Sequence, residues 1–159
     1  MKVFYITFII LMTLLFIGNL MTYPLQHFFV FRPIELAPDY EFKFKNSFEE
    51  VNLKTDDGGI INALHFKEPG PKDVILYFHG NTGSLMRWAE LNDKFRKLGY
   101  DLFIMDFQSF RKSTGPMSEK AFYNDAKQCY QHVVKQYDVN EIITYRRSMG
   151  SFPASYLAS

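Results

Sequence analysis

The sequence predicts an α/β fold, with a β-hairpin and then parallel strands with flanking helices, preceded by one transmembrane helix. Three observations predict it. A charge-free apolar run covers residues 3–20, directly after Lys2. Two strand-like stretches joined by a turn signal follow a connector that contains prolines. Beyond them, short apolar runs alternate with segments whose apolar residues recur at helical spacing, which is the order of an α/β sheet.

The apolar run predicts a transmembrane signal anchor over residues 1–21. About 20 apolar residues span a bilayer as a helix, so residues 3–21 are expected to contact membrane lipid. A cleaved signal peptide is the alternative. It would have a shorter apolar core and a small-residue cleavage site, and residues 18–24 contain no Ala-x-Ala pattern. A single-pass membrane protein is therefore expected, and the short N-terminal tail favours an extracytoplasmic domain.

The remaining chain divides into a connector and one domain. Residues 22–47 form a juxtamembrane connector with Pro24, Pro33 and Pro38, and prolines at this density predict an extended segment. Residues 48–159 form the α/β domain.

Within this domain, residues 48–55 and 60–66 predict a hairpin, because Asp56-Asp57-Gly58-Gly59 is a turn signal. Apolar runs predict three buried core strands over residues 73–78, 100–107 and 141–145. Helical spacing predicts helices over residues 85–98, 121–137 and from Met149 onward, the first of them ended by Gly99.

Composition excludes several classes of function. The net charge of +1 gives no basic face for nucleic acid, so no nucleic-acid partner is expected. A single cysteine, Cys129, excludes an intrachain disulfide and a cysteine-rich zinc site. Cys129 lies on the apolar side of a predicted helix, which indicates a buried side chain. We expect no metal site.

The chemistry is expected in the loops that follow the parallel strands, since α/β sheets form their sites beyond the carboxyl ends of strands. Ser148 lies between a predicted strand and a predicted helix, the geometry of a nucleophile elbow. The backbone N–H of Met149 would then point at an oxyanion, with a second N–H from Asn81 or Thr82 in the loop after the preceding strand.

Several motifs occur together in a characteristic order. They are Tyr77-Phe78-His79-Gly80-Asn81-Thr82-Gly83, Gly99-Tyr100 leading to Asp106-Phe107, Lys112-Ser113-Thr114-Gly115 and Arg147-Ser148-Met149-Gly150. With this order and spacing the chain resembles the α/β-hydrolase superfamily over residues 25–159. It is most similar to the membrane-anchored abhydrolase-domain group, often labelled serine aminopeptidase-like. The resemblance implies the N-terminal half of an α/β-hydrolase sheet. It also implies a serine hydrolase of acyl ester, thioester or peptide bonds that uses no cofactor.

The resemblance also implies roles for single residues. Ser148 would be the nucleophile, and His79 with Gly80 would support the oxyanion loop. Gly150 would leave room for the crossing backbones of the elbow. Arg146 stands where the elbow pattern has glycine, and we expect it to crowd the helix that follows. Asp106 would organise the loop after its strand.

Other positions also depart from the pattern of the family. Gln108, Ser109 and Arg111 stand where the family has arginine, glycine and glycine. A side chain at a position that requires positive φ costs about 1–3 kcal/mol. Each replacement can arise from a single G-to-A codon change, which suggests the hypothesis of a decaying gene.

The order of the catalytic residues raises a question about activity. In α/β-hydrolases the nucleophile is followed by Asp or Glu and then by His, and residues 149–159 contain none of these. We therefore expect a truncated chain, inactive alone, whose last strand is an exposed apolar edge. The alternatives are a non-catalytic membrane-anchored interaction protein and a half-enzyme completed by another chain.

Overall fold

A computed structural model describes residues 2–30, 32–33, 36–37 and 39–157, without the side chains of residues 23–30 and 32–33. The chain forms two compact units, Met1–Arg32 and Pro33–Ser159.

The first unit is helical. Helix α1 spans Lys2–Val30, and its part Lys2–Thr22 has a mean hydropathy of 2.3 with no residue buried against protein. This length and composition suit a single-pass membrane anchor, although a signal sequence meets the same criteria. The helix continues past Pro24, so the predicted extended connector is wrong for residues 22–30. The two-residue strand β1, Arg32–Pro33, follows.

The second unit contains a five-stranded mixed sheet in the order β2-β3-β6-β4-β7. The strands of this unit are β2 Glu49–Lys54, β3 Ile60–Phe66, β4 Val74–Phe78, the two-residue β5 Thr82–Gly83, β6 Asp101–Asp106 and β7 Ile142–Arg146. Strands β2, β3 and β6 pair antiparallel. Strands β6, β4 and β7 pair parallel. The predicted hairpin and the parallel α/β arrangement are confirmed.

Helices lie between the parallel strands and after the last of them. They are α2 Leu85–Trp88, a 3₁₀ turn Ala89–Leu91, α3 Asn92–Lys97, α4 Glu119–Val133, 3₁₀ turns Val139–Glu141 and Ser148–Gly150, and α5 Ser151–Leu157. The helix predicted over residues 85–98 is therefore interrupted by one 3₁₀ turn. Gly99 follows it with φ 83°, a left-handed conformation that glycine adopts without steric cost at a helix end.

The two faces of the sheet carry different helices. Tyr77 packs against Trp88 of α2, with ring centroids 6.4 Å apart. Its neighbour Phe78 stacks on Phe107, and Phe107 contacts Phe122 of α4 with centroids 4.5 Å apart. Since successive strand residues point to opposite faces, α2 and α4 cover opposite sides of the sheet. Both faces of β4 are consequently buried.

Strand β7 differs from the core strand that its apolar residues predict. It lies at the end of the sheet, where within the described residues it pairs only with β4. Ile143 and Tyr145 are 39% and 46% exposed. The prediction of a third buried strand is wrong, and β7 has the exposed apolar edge that was also expected of it.

Candidate active site

The candidate site lies where three parallel strands end. In the sheet register Phe78 of β4 is level with Met105 of β6 and with Arg146 of β7. The loops after these strands therefore leave the sheet at one edge. This common edge is where α/β proteins place ligands, and it brings Ser148 to the loop that begins at His79.

Ser148 lies in a sharp turn between strand and helix. The Arg147 N–H still donates to the Phe78 carbonyl oxygen at 3.0 Å. Ser148 then adopts φ 49° and begins the 3₁₀ turn that leads into α5. Positive φ is uncommon for serine, and strained backbone of this kind is typical of a nucleophile at a strand-to-helix elbow.

Two glycines permit close contact between the elbow and the neighbouring loop. A Cβ added at Gly80 would lie 3.5 Å from the Ser148 Cβ. A Cβ added at Gly150 would lie 2.2 Å from the Phe78 carbonyl oxygen, a distance at which the backbone must move. This clash explains why a residue with a side chain does not fit at position 150 of the elbow motif.

The three predicted oxyanion donors adjoin the contacting residues Gly80 and Ser148 in sequence. Met149 is the second residue of the 3₁₀ turn that Ser148 begins. Asn81 is half-buried in the loop after β4, and Thr82 is exposed in β5. The Thr82 carbonyl oxygen accepts a hydrogen bond from the Trp88 indole N–H at 2.8 Å, which attaches this loop to α2. Their role as oxyanion donors stays a prediction.

His79 and Asp106 form a buried pair beneath the loop. His79 Nε2 lies 3.1 Å from Asp106 Oδ1, and both side chains are fully buried. The other ring nitrogen, Nδ1, faces the Gly80 carbonyl oxygen. The Asp106 carboxylate accepts from the Leu85 N–H at 3.2 Å, and the Asp106 carbonyl accepts from Ser113 Oγ at 2.7 Å. The pair joins β4, β6 and α2, and the roles of His79 in supporting the oxyanion loop and of Asp106 in organising the loop after β6 stay predictions.

Arg146 does not crowd the following helix. Its side chain is exposed, and Nη1 donates to Ser155 Oγ of α5 at 3.1 Å. Its φ is not positive. The predicted steric conflict at Arg146 is therefore wrong, because the close backbone crossing occurs at Gly150 instead.

The loop after β6 carries side chains in a conformation that suits glycine. Ser109 and Arg111 have φ values of 66° and 59°, at the two positions where glycine was expected. Ser109 Oγ donates to the Gly115 carbonyl oxygen at 2.7 Å. Arg111 Nη2 donates to the Gly83 carbonyl oxygen at 2.8 Å. These two hydrogen bonds compensate in part for the strained backbone.

Gln108 and Asp125 form a second buried network that the sequence motifs do not indicate. The Gln108 backbone N–H donates to Asp125 Oδ2 at 2.8 Å, and its side-chain Nε2 donates to Asp125 Oδ1 at 2.7 Å. Gln108 Oε1 is buried without a hydrogen-bond partner. Burial raises the pKa of Asp125 to about 6, which the hydrogen bonds from Gln108 only partly oppose. An acidic residue on the apolar face of a predicted helix was the signal that could have found it.

A third network lies at the other end of β6. His65 Nε2 is 2.9 Å from the Tyr137 hydroxyl, which donates to Asp101. His65 is almost fully buried, and this burial lowers its pKa to about 4. The network attaches the segment after α4 to the sheet, so it stabilises the fold and lies far from the elbow in sequence.

The described residues contain no cluster of side chains that could bind a metal ion. Over residues 2–30, 32–33, 36–37 and 39–157, no group of three or more His, Cys, Asp or Glu side chains could hold an ion. Cys129 is buried and unpaired, and burial raises the pKa of its thiol.

Comparison with known proteins identifies the family. The profile described as "alpha/beta hydrolase fold" matches residues 73–159, more than half of the chain. The strand order, the elbow at Ser148 and this match together show that the chain belongs to the α/β-hydrolase family.

Individual relatives are similar over part of their length. An uncharacterized protein of Acanthamoeba polyphaga mimivirus, R595, is 26% identical over 149 residues, covering 84% of this chain and 50% of the relative. Alpha/beta hydrolase domain-containing protein 17C of Xenopus tropicalis is 25% identical, covering 76% and 40%. The Pyrococcus furiosus esterase Pf2001 superposes with a TM-score of 0.57 at 23% identity, covering 77% and 50%. The chain thus spans half or less of the length of each of these proteins.

Proposed function

We propose that this chain supplies the nucleophile half of a serine hydrolase that cleaves acyl esters, thioesters or peptide bonds. The observation that carries the proposal is Ser148 at φ 49° on a strand-to-helix turn, with Gly80 against its side chain. Esterase and hydrolase relatives support a hydrolase-type function. In this proposal Ser148 attacks the carbonyl carbon, and the N–H groups of Met149 and of Asn81 or Thr82 stabilise the oxyanion.

The proposal requires an acid and a base from outside residues 1–159. A serine hydroxyl is a weak nucleophile until an adjacent base accepts its proton. His79 and Asp106 are both fully buried, with His79 Nε2 3.1 Å from Asp106 Oδ1, and we assign them to holding the oxyanion loop. We therefore expect the 159-residue polypeptide alone to hydrolyse p-nitrophenyl acetate at the rate of the buffer.

A chimera tests the proposal directly. The segment that follows the matched region in the mimivirus relative is appended to residue 159, and hydrolysis of p-nitrophenyl acetate is measured. We expect turnover that Ser148→Ala abolishes and that Ser151→Ala, a matched change three residues away, leaves intact. A chimera that melts cooperatively but shows no Ser148-dependent turnover would contradict the assignment.

We propose that α1 anchors this hydrolase half in a membrane, with the α/β domain on the extracytoplasmic side. The apolar, protein-free surface of Lys2–Thr22 supports the anchor. Because Cys129 is buried, labelling of a cysteine placed at exposed Lys127 shows on which side of the membrane the α/β domain lies. Labelling of Lys127→Cys in intact cells by a membrane-impermeant maleimide is the expected result. Labelling only after cell lysis would contradict the orientation.

A second candidate is a non-catalytic interaction protein that uses the end of the sheet as its binding surface. One observation favours it. Strand β7 pairs only with β4 within the described residues, and Phe152 on α5 nearby in sequence is 67% exposed. A monodisperse full-length chain in detergent whose chimera stays inactive would favour this candidate over the hydrolase.

A further inference from the structure

Two arginines are stacked on the single tryptophan of the chain. The Arg147 guanidinium carbon lies 4.9 Å from the centre of the Trp88 ring, and that of Arg87 lies 5.4 Å from it. Both arginine side chains are exposed, whereas Trp88 is buried. Stacking on an aromatic face holds a guanidinium in place while its N–H groups remain able to bind a ligand.

A third arginine binds the same segment from the loop after β6. Arg111 donates two hydrogen bonds to the Gly83 carbonyl oxygen, from Nη2 at 2.8 Å and from Nε at 3.3 Å. Gly83 follows Thr82, whose carbonyl oxygen accepts from Trp88. All three guanidinium groups are thus attached to the short segment 82–88, which we call the arginine segment.

The positive charge of these arginines is not neutralised by ion pairing in the described part of the chain. The ion pairs found there are Lys67–Glu49, Arg96–Glu68 and Lys112–Glu50, and the Asp106 carboxylate contacts His79. Arg111 is partly buried, and this burial lowers its pKa against the attraction of Asp106. Arg87 and Arg147 are exposed and have no carboxylate in ion-pair contact within the described residues, so their N–H groups can bind an anionic ligand.

The arginine segment borders the nucleophile. Arg147 directly precedes Ser148, and Gly80, two residues before Thr82, lies against Ser148. A ligand whose carbonyl group reaches Ser148 therefore lies next to Arg147. Guanidinium groups match phosphate and carboxylate oxygens through paired N–H donors.

We propose that Arg87, Arg111 and Arg147 bind a phosphate group carried by the acyl substrate next to the bond that Ser148 attacks. The inference rests on the proposed function, since it adds a substrate class to the same site. The shared chemistry is a phosphate monoester or diester, which is present both in soluble acyl phosphates and in phospholipid headgroups.

Fluorescence of Trp88 tests this binding without any catalysis. Trp88 is the only tryptophan, so its emission reports on the arginine segment alone. The full chain in nonionic detergent is titrated with hexyl phosphate and, in parallel, with hexanol. We expect a saturable change with hexyl phosphate only. Mixed micelles containing phosphatidylglycerol or phosphatidylcholine form the second arm, and a response to the phospholipids without one to hexyl phosphate identifies a headgroup as the source.

Matched variants separate this site from the nucleophile. Arg147→Gln and Arg111→Gln should each weaken phosphate binding about tenfold, the effect of losing one charge-assisted hydrogen bond. Lys127→Gln, which removes an exposed charge from the opposite face of the sheet, and Ser148→Ala should bind as the parent does. Circular dichroism checks folding, and the exposed Arg147 provides the test if Arg111→Gln does not fold. Equal responses to hexyl phosphate and hexanol, or unchanged affinity in folded Arg147→Gln, would overturn the proposal whether or not Ser148 is catalytic.

Discussion

Gly150 lies directly against the Phe78 carbonyl group, so that a methyl group on Gly150 would approach the Phe78 oxygen to 2.2 Å. This contact joins the end of β4 to the turn that carries Ser148. The atoms that a Cβ at Gly150 would meet belong to the backbone, so no flexible side chain can move aside to relieve the clash. The geometry of the elbow therefore depends on glycine at position 150.

Gly150→Ala should destabilise the protein by about 3 kcal/mol, since the clash requires a backbone shift in packed surroundings. Thermal unfolding of the full chain in nonionic detergent measures the change. Gly80→Ala is the matched control, because its added Cβ meets neighbours at 3.5 Å, an ordinary contact distance. Equal melting temperatures of Gly150→Ala and the parent would show that the backbones do not cross as described.

Ser109→Gly should be more stable than Ser109→Ala by about 1 kcal/mol. Both variants lose the hydrogen bond from Ser109 Oγ to the Gly115 carbonyl oxygen. Only glycine also removes the steric cost of φ 66° at this position, which is about 1–2 kcal/mol for a residue with a Cβ. Comparing the two variants by urea unfolding therefore isolates the backbone strain. The reverse order of stability would exclude a left-handed conformation at residue 109.

The motifs and apolar periodicity were sufficient to predict the sheet, its hairpin and the elbow, because these depend on local patterns of residues 48–150. The strained positions at Ser109 and Arg111 were also predictable, since glycine is expected there. The buried contacts of Asp125 and the stacking of Arg147 on Trp88 were not. They join residues far apart in the chain, and a single sequence does not show which distant side chains meet. The apolar pattern of β7 also predicted a buried strand wrongly, since an apolar strand has the same pattern whether one or both sides are paired.

Gln108→Arg should stabilise the protein near neutral pH. Burial raises the pKa of Asp125 to about 6 from 3.8, so the folded state binds more protons than the unfolded state between these values. The stability from this group is present below about pH 4 and is lost as the pH rises through 6. A guanidinium at residue 108 would pair with the ionised Asp125 and restore about 1–2 kcal/mol.

The stabilisation by Gln108→Arg should be larger at about pH 7.5 than at pH 4, where Asp125 is protonated. Gln108→Met, an apolar side chain of similar length, is the control, and it should destabilise because Asp125 loses a donor. Urea unfolding at the two pH values measures both effects. A gain in stability that is equal at both pH values would mean that the new side chain does not pair with Asp125.

His65→Gln should remove part of the loss of stability in acid. Burial lowers the pKa of His65 to about 4 from 6.5, so between these values the unfolded state binds a proton that the folded state excludes. The stability from His65 is present above about pH 6.5 and is lost as the pH falls towards 4, by roughly 3 kcal/mol at most. Glutamine does not titrate and can still contact the Tyr137 hydroxyl. We therefore expect a flatter dependence of unfolding free energy on pH for the variant.

His132→Gln serves as the comparison, because His132 is more exposed and burial lowers its pKa in the same direction. The effect of His132→Gln on the pH dependence should have the same sign and be smaller. An acid dependence in His65→Gln identical to that of the parent would show that His65 is accessible to protons in the folded state.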